Sequence, residues 1–213
     1  MMKTILAYGD SLTYGHDAAV FGRHAYEDRW PSVLEAGLDG AARVIAEGLG
    51  GRTTVFDDNA AAFDRNGARV LPTLLQTHAP LDLVIIFLGT NDLKLFINGT
   101  AFGAAMGVKR LVEIVRHHPY MPGFKVPEVV IISPPLTVET DHKDLHPMFA
   151  PRADEAKLFS FYYERIAREL GCGFLDAATV AKATPIDGVH LDAANTRAIG
   201  EGLVPVVKSI LKI

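Results

Sequence analysis

Ser11 lies in the stretch GDSLT at positions 9–13, directly after the apolar run of residues 4–8. If that run is a buried strand, the glycine turn presents the Ser11 hydroxyl at the carboxyl end of the strand, where ligands and catalytic groups gather in open α/β sheets. A serine hydroxyl becomes a nucleophile when a neighbouring base takes its proton. The same five residues also describe an ordinary turn that caps a helix, so the interpretation depends on partners elsewhere in the chain.

His190 and Asp187 are candidates for those partners. Their Asp-x-x-His spacing places both side chains on one turn, where the carboxylate can accept the second imidazole N–H. That contact would fix the histidine tautomer and support the cation formed when histidine acts as a base. Alone, the pattern equally describes a turn with a solvated histidine.

Acyl transfer also needs donors for the oxyanion of a tetrahedral intermediate. Asn91 follows the continuous apolar run of residues 83–88 and offers a side-chain amide. Gly51 offers a backbone N–H with no side chain in the way, and the N–H of Ser11 is a third donor. Each of these residues has an ordinary turn interpretation, but together they predict a serine hydrolase site.

Strands and helices alternate along the chain, which predicts a parallel sheet with helical crossovers in one domain spanning residues 1–213. The carboxyl ends of parallel strands share one edge, so the candidate residues can meet there. The predicted strands cover residues 4–8, 43–46, 83–88, 128–132 and 173–175. The first predicted helix begins at Trp30 and ends near Gly40. A second covers residues 68–77 and is interrupted at Pro72. Three more cover residues 101–117, 153–170 and 193–211.

Composition limits the partners and the compartment. The 213 residues are 49% hydrophobic and 22% charged, with a net charge of −4 and no basic block. We therefore expect no nucleic acid and no membrane among the partners. The single cysteine, Cys172, fits a reducing compartment, and the first apolar run is too short for a secretory signal, so a cytoplasmic location is expected.

Four residues are candidates for substrate contact because small-molecule sites are largely apolar with few polar groups. They are Leu12, Tyr14, Lys94 and Ile186. Phe149 is a further wall candidate, whereas core packing is equally favoured for Trp30 and Phe96. The polar segment 136–149 is predicted to be a loop that covers the site.

No metal or cofactor is predicted. His142 and His146 have a spacing that suits a metal on a helix, but Pro147 and the polar composition favour a solvated loop. No glycine-rich phosphate-binding motif follows any strand. A non-catalytic flavodoxin-like nucleotide- or flavin-binding protein remains the alternative, with Ser11 and Thr13 cradling phosphate.

The four blocks resemble the SGNH (GDSL-type) hydrolase family, in the family's order and across the whole chain. They are GDSL at 9–12, Gly51, GTND at 89–92 and DGVH at 187–190. The resemblance implies a three-layer α/β/α, flavodoxin-like fold with a five-stranded parallel sheet. It also implies ester hydrolysis by Ser11, Asp187 and His190, with an oxyanion hole from Ser11, Gly51 and Asn91.

A longer set of stretches is similar to the mycobacterial arylesterase/acyltransferase (perhydrolase) branch of that family: residues 5–15, 47–49 with 52–54, 81–86 with 89–92, and 133–135. This branch implies small ester substrates such as aryl esters and acetylated carbohydrates, acyl transfer beside hydrolysis, and a homo-oligomer. The second block departs from the usual Asn-x-Gly wording, since Glu47 precedes Gly48. Gly51, rather than Gly48 or Gly50, is our predicted donor.

Overall fold

Five parallel strands form one sheet in the computed structural model, which describes residues 2–213. The strands of the sheet are β1 (Lys3–Gly9), β4 (Ala42–Gly48), β5 (Leu83–Phe87), β6 (Glu128–Ser133) and β7 (Gly173–Asp176). The other two strands, β2 (His16–Asp17) and β3 (Gly22–Arg23), form a short hairpin outside the sheet. The sheet order is β4-β1-β5-β6-β7. Counting sheet strands only, this is 2-1-3-4-5, the flavodoxin-like order. The predicted sheet is confirmed.

Helices cover both faces of the sheet. They are α1 (Ser11–Tyr14), α2 (Trp30–Gly37), α3 (Gly67–His78), α4 (Ala101–His117), α5 (Leu145–Phe149), α6 (Ala153–Ala156), α7 (Phe159–Leu170) and α8 (Ala193–Leu211). Short 3-10 helices cover Tyr26–Asp28, Thr90–Leu93, Ala150–Arg152 and Ala177–Thr179. Of the helices in residues 2–213, none has the length and apolar character needed to cross a membrane.

Alternate side chains of β1 enter two separate cores. Ile5 and Ala7 pack into the cluster that contains residues of α2 and α8. Leu6 and Tyr8 face the other way and pack with residues of α3, α4 and α7. All five residues of β5 are buried, as expected of a central strand covered on both faces. The three-layer α/β/α architecture is thereby confirmed.

The prediction of one continuous helix over residues 153–170 is wrong. The structure divides it into α6 and α7, separated by Lys157 and Leu158. The buried helical period begins at Phe159 and continues through Tyr163 and Ile166. Leu158, between the two helices, is 39% exposed.

Two prolines disturb the helices less than predicted. Pro72 lies inside α3, which continues to His78 because Asn66 caps its start and Leu71 lies on its buried face. The segment 136–149 is not entirely a loop, since α5 closes it. Pro147 is the third residue of α5, where a backbone N–H has no helical partner in any case.

Candidate active site

The turn after β1 positions Ser11. A Cβ atom at Gly9 would lie 2.0 Å from the Thr13 hydroxyl oxygen, so the chain can turn here only without a side chain. Asp10 caps α1 by accepting the Leu12 N–H at 2.9 Å. Ser11 is therefore the first residue of a one-turn helix at the carboxyl end of β1, beside the point where the strand order reverses.

Ser11, His190 and Asp187 form a continuous hydrogen-bonded chain. His190 Nε2 lies 2.9 Å from Ser11 Oγ, and His190 Nδ1 lies 2.6 Å from Asp187 Oδ2. Asp187 Oδ1 accepts the backbone N–H groups of Val189 and His190 at 3.0 and 2.9 Å. Burial alone would raise the pKa of Asp187, but the hydrogen bond and charge of His190 and these N–H groups outweigh it and lower the pKa to about 2. Asp187 is thus ionised throughout the neutral range.

The loop that carries Asp187 and His190 is braced from two sides. The Thr184 N–H donates to the His190 carbonyl at 2.7 Å, and the Val138 N–H donates to the Gly188 carbonyl at 2.9 Å. The first half of the segment 136–149 thus supports the catalytic loop. Its second half, which includes α5, supplies a wall of the cavity described below.

Two backbone donors face no acceptor of their own. Within residues 2–213, the N–H groups of Ser11 and Gly51 have no hydrogen-bond partner. Both N–H donors of Asn91 Nδ2 are engaged at rest, because Nδ2 donates to the Arg52 carbonyl at 3.1 Å and to Asp10 Oδ2 at 3.2 Å. The structure thus brings the three predicted oxyanion donors to the edge that holds Ser11.

Two buried carboxyl groups brace these loops and do not line the cavity. Burial is the main cause that raises the pKa of Asp10 to about 6 and that of Asp92 to about 7. Asp92 accepts both the N–H and the hydroxyl of Thr54, which ties the turn after β5 to the loop after β4.

A cavity of about 230 Å³ opens over Ser11. Its lining consists of Ser11, His16, Gly50, Gly51, Arg65, Asn91, Lys94, Leu145, Phe149, Val189 and His190. Sequence reasoning missed His16, Arg65 and Leu145. The His16 and His190 rings lie 4.3 Å apart between centroids, and burial, followed by the neighbouring His190, lowers the pKa of His16. The three missed residues lie in β2, in the loop before α3 and in α5, with no shared motif or spacing, so nothing in the sequence singles them out.

Of the four predicted substrate contacts, only Lys94 lines this cavity. The prediction for Leu12 needs correction, because its side chain points back from α1 into the core and is 4% exposed. Tyr14 and Ile186 are exposed and do not line the cavity. The Arg23 guanidinium carbon lies 4.1 Å from the centre of the Tyr14 ring. Among the aromatic candidates, Phe149 lines the cavity while Trp30 is fully buried and Phe96 is exposed.

Metal-binding spacing occurs at the candidate catalytic groups themselves. Within residues 2–213, one set of side chains has ligand atoms within 4.8 Å of one another: His16, Asp187 and His190. Asp187 and His190 are already committed to each other and to Ser11. In the predicted loop, His142 Nδ1 accepts the N–H groups of Asp144 and Leu145 at the start of α5, so this ring serves as a cap.

Comparisons with known proteins agree with this geometry. The sequence profile of the GDSL-like lipase/acylhydrolase family matches residues 7–197. A carbohydrate acetylesterase family member from Sinorhizobium meliloti is 56% identical over the full length of both chains, with a TM-score of 0.97. A putative arylesterase from Agrobacterium tumefaciens is 47% identical, with a TM-score of 0.91, over 98% of this chain and 100% of that one. The aryl esterase of M. smegmatis is 37% identical, also with a TM-score of 0.91, over 98% and 99%. Among curated protein sequences, none matches the chain.

Proposed function

The chain belongs to the GDSL-like lipase/acylhydrolase family and is a serine-type carboxylic ester hydrolase, and from that premise we propose that Ser11 becomes acylated during turnover. The observation that carries this proposal is the unbroken hydrogen-bond chain from Ser11 Oγ through His190 to Asp187. Family membership also removes the support for the nucleotide- or flavin-binding alternative.

Acylation follows from the contacts of His190. Its Nε2 takes the Ser11 proton as Oγ attacks the ester carbonyl carbon, and the imidazolium is stabilised by ionised Asp187. When the tetrahedral intermediate collapses, the carbon–oxygen bond to the alcohol breaks and His190 returns the proton to that oxygen. Water then repeats the sequence on the acyl-Ser11 ester, which releases the acid and restores the free hydroxyl.

Oxyanion stabilisation would come from the backbone N–H groups of Ser11 and Gly51, which have no acceptor at rest within residues 2–213. Asn91 would be the third donor once it shares or releases its longer bond, the one to Asp10. Donors already fixed at the point where charge develops are worth about 3 kcal/mol each in other hydrolases.

Short acyl esters are the substrates that the cavity favours. A volume of about 230 Å³ is smaller than a typical drug-sized site, and Leu145 and Phe149 give it an apolar wall. Similar proteins are described as aryl esterases and as carbohydrate acetylesterases, so we propose aryl esters and acetylated carbohydrates as substrates. An alcohol or peroxide that reaches acyl-Ser11 before water would give acyl transfer or perhydrolysis.

Ser11→Ala tests the function directly. We expect kcat for an aryl acetate to fall by at least about 10³-fold, since removing the nucleophile of a serine hydrolase leaves only binding and oxyanion stabilisation. Ser209→Ala, which removes an exposed hydroxyl from α8, is the matched control and should keep full activity. Equal activity in Ser11→Ala and the wild type would contradict the proposal.

Three further properties belong to the same proposal. One hydrolase domain across residues 1–213 is supported by a family match to 7–197 and a single main sheet. A cytoplasmic location is supported by one free cysteine, and the absence of nucleic-acid partners by the net charge of −4. A homo-oligomer is supported by exposed apolar residues such as Phe21, and sedimentation analysis would test it.

A further inference from the structure

Lys94 is buried beside the catalytic centre without a charge partner. It is 9% exposed and is the one lysine among the buried residues of the described chain. Its side chain lines the same cavity as Ser11. Within residues 2–213, no acceptor lies within hydrogen-bond distance of Nζ, which lies 5.9 Å from the centre of the Phe149 ring. The ammonium group has three donors, and it is not sealed off inside the fold, so these donors are accessible from the cavity.

Buried Arg52 shows how the fold holds a cation that only supports structure, although its Nε also lacks an acceptor within residues 2–213. Arg52 is 3% exposed, and its Nη1 donates to the carbonyls of Gly9 and Glu47. Its guanidinium also stacks over the Tyr8 ring at 4.3 Å. Lys94 has no such carbonyls, so its donors remain available to a molecule in the cavity.

Arg65 adds a second positive charge to the same wall. It lines the cavity, pairs with Asp58 through Nη1 at 2.7 Å, and has a buried Nε with no acceptor within residues 2–213. No aspartate or glutamate belongs to the described lining, although the whole chain carries a net charge of −4. The cavity is therefore locally cationic in an acidic protein.

We propose that Lys94, assisted by Arg65, binds a carboxylate carried by the substrate, so that this enzyme prefers esters with a negatively charged group over their neutral isosteres. The proposal rests on the proposed esterase function and adds the chemical class of its substrate. The carboxylate can belong to the acid part or to the alcohol part of the ester, because both parts occupy the cavity during turnover.

The electrostatics of Lys94 agree with this role. Burial lowers the pKa of Lys94, and the Arg65 charge lowers it further, while Asp58, Asp10 and Asp92 act in the opposite direction. A carboxylate placed against Nζ would favour the ammonium form and supply the missing acceptor. Binding of an anion would thus offset the desolvation that the fold imposes on this side chain.

Two matched substrate pairs test the proposal. Ethyl hydrogen succinate against ethyl succinamate places the carboxylate on the acid part, and 4-carboxyphenyl acetate against 4-carbamoylphenyl acetate places it on the alcohol part. In the wild type we expect kcat/KM to favour the charged member of at least one pair by about tenfold or more. Lys94→Met should abolish that preference, and Lys94→Arg should keep most of it.

A second measurement needs no variant. Wild-type hydrolysis of a neutral aryl acetate should be inhibited competitively by succinate or 4-hydroxybenzoate more strongly than by their uncharged amides. The proposal is overturned if neither pair shows a preference, if Lys94→Met retains it, or if acid and amide inhibit equally. These outcomes compare charged with neutral substrates and inhibitors. They are therefore distinct from a failure of the proposed esterase function, which would appear as hydrolysis that does not depend on Ser11.

Discussion

In the proposed mechanism, the chemistry of His190 depends on Asp187, because Asp187 accepts the Nδ1–H and so leaves Nε2 facing Ser11. Both carboxylate oxygens are engaged, one by the ring and the other by two backbone N–H groups. A side chain held in this way fixes the tautomer and the orientation of the imidazole before substrate arrives.

Asp187→Asn should lower kcat for an aryl acetate by about 10³- to 10⁴-fold with a small change in KM, because the amide no longer stabilises the imidazolium and can favour the wrong tautomer. Steady-state kinetics at neutral pH would measure the effect. Asp192→Asn is the control, since this exposed aspartate caps α8 and asparagine caps equally well. Wild-type kcat in Asp187→Asn would rule out the proposed role.

At the scale of elements, the turn after β5 determines where Asn91 lies. Gly89 has φ +127°, and a Cβ atom there would lie 2.0 Å from the Tyr163 hydroxyl oxygen. That hydroxyl donates to the Leu88 carbonyl at 3.0 Å, so it cannot move away freely. α7 and the end of β5 are thereby locked together two residues before the proposed oxyanion donor.

Gly89→Ala should lower the free energy of unfolding by about 2–4 kcal/mol, through backbone strain together with the clash against Tyr163. Urea denaturation would measure it, and kcat should fall as Asn91 shifts. Gly40→Ala is the matched control, because Gly40 has φ +78° but open space around its Cβ position. It should cost only about 1 kcal/mol. Equal losses in the two variants would show that the Tyr163 contact is unimportant.

The sequence predicted elements best where the pattern was long and regular. α4 has the predicted bounds of Ala101–His117, and β5 follows from its apolar run. The break before α7 could not be predicted, because Leu158 continues the apolar spacing while tertiary contacts begin at Phe159. The cavity wall of α5 was also hidden, since a polar segment with Pro147 is typical of a loop.

The site residues, too, were predictable only where they belong to a recognisable pattern. Compact motifs after strands contain Ser11, Asn91, Asp187 and His190, so the sequence predicted that these residues lie close together. His16 and Arg65 reach the cavity only because separate segments fold over it. Leu12 shows the limit of adjacency: it neighbours Ser11, yet the one-turn helix directs its side chain into the core.

At the scale of the whole molecule, two carboxyl groups are buried below the active edge. The folded state binds their protons more tightly than the unfolded chain does, because burial raises the pKa of Asp10 to about 6 and that of Asp92 to about 7. The resulting stability is fully present below the unfolded pKa, about 4, and is lost as pH rises through 6 to 7.

The wild type should lose unfolding free energy as the pH rises from about 5 to about 8. In Asp92→Asn this loss should be smaller by on the order of 1–3 kcal/mol, because the amide stays neutral throughout. Urea denaturation at the two pH values would measure the difference. Asp141→Asn, at an exposed position, is the control and should leave the wild-type difference unchanged. An unaltered difference in Asp92→Asn would contradict the protonation assigned to this carboxyl.

Fold and family agree across the molecule, since the sheet order places the ends of β1 and β5 side by side where the strand order reverses. The resemblance to GDSL-type hydrolases inferred from four motifs is confirmed by the family match and by esterase structures that cover 100% and 98% of the chain. The central claim that remains to be measured is that Ser11 is the residue acylated.

Covalent labelling with a fluorophosphonate probe, followed by peptide mass spectrometry, tests that claim most directly. Ser11 should carry a single phosphonyl adduct, the labelled protein should lose aryl acetate hydrolysis in parallel, and Ser11→Ala should remain unlabelled. An adduct on a different residue, or an unlabelled wild type that still hydrolyses the ester, would contradict the account.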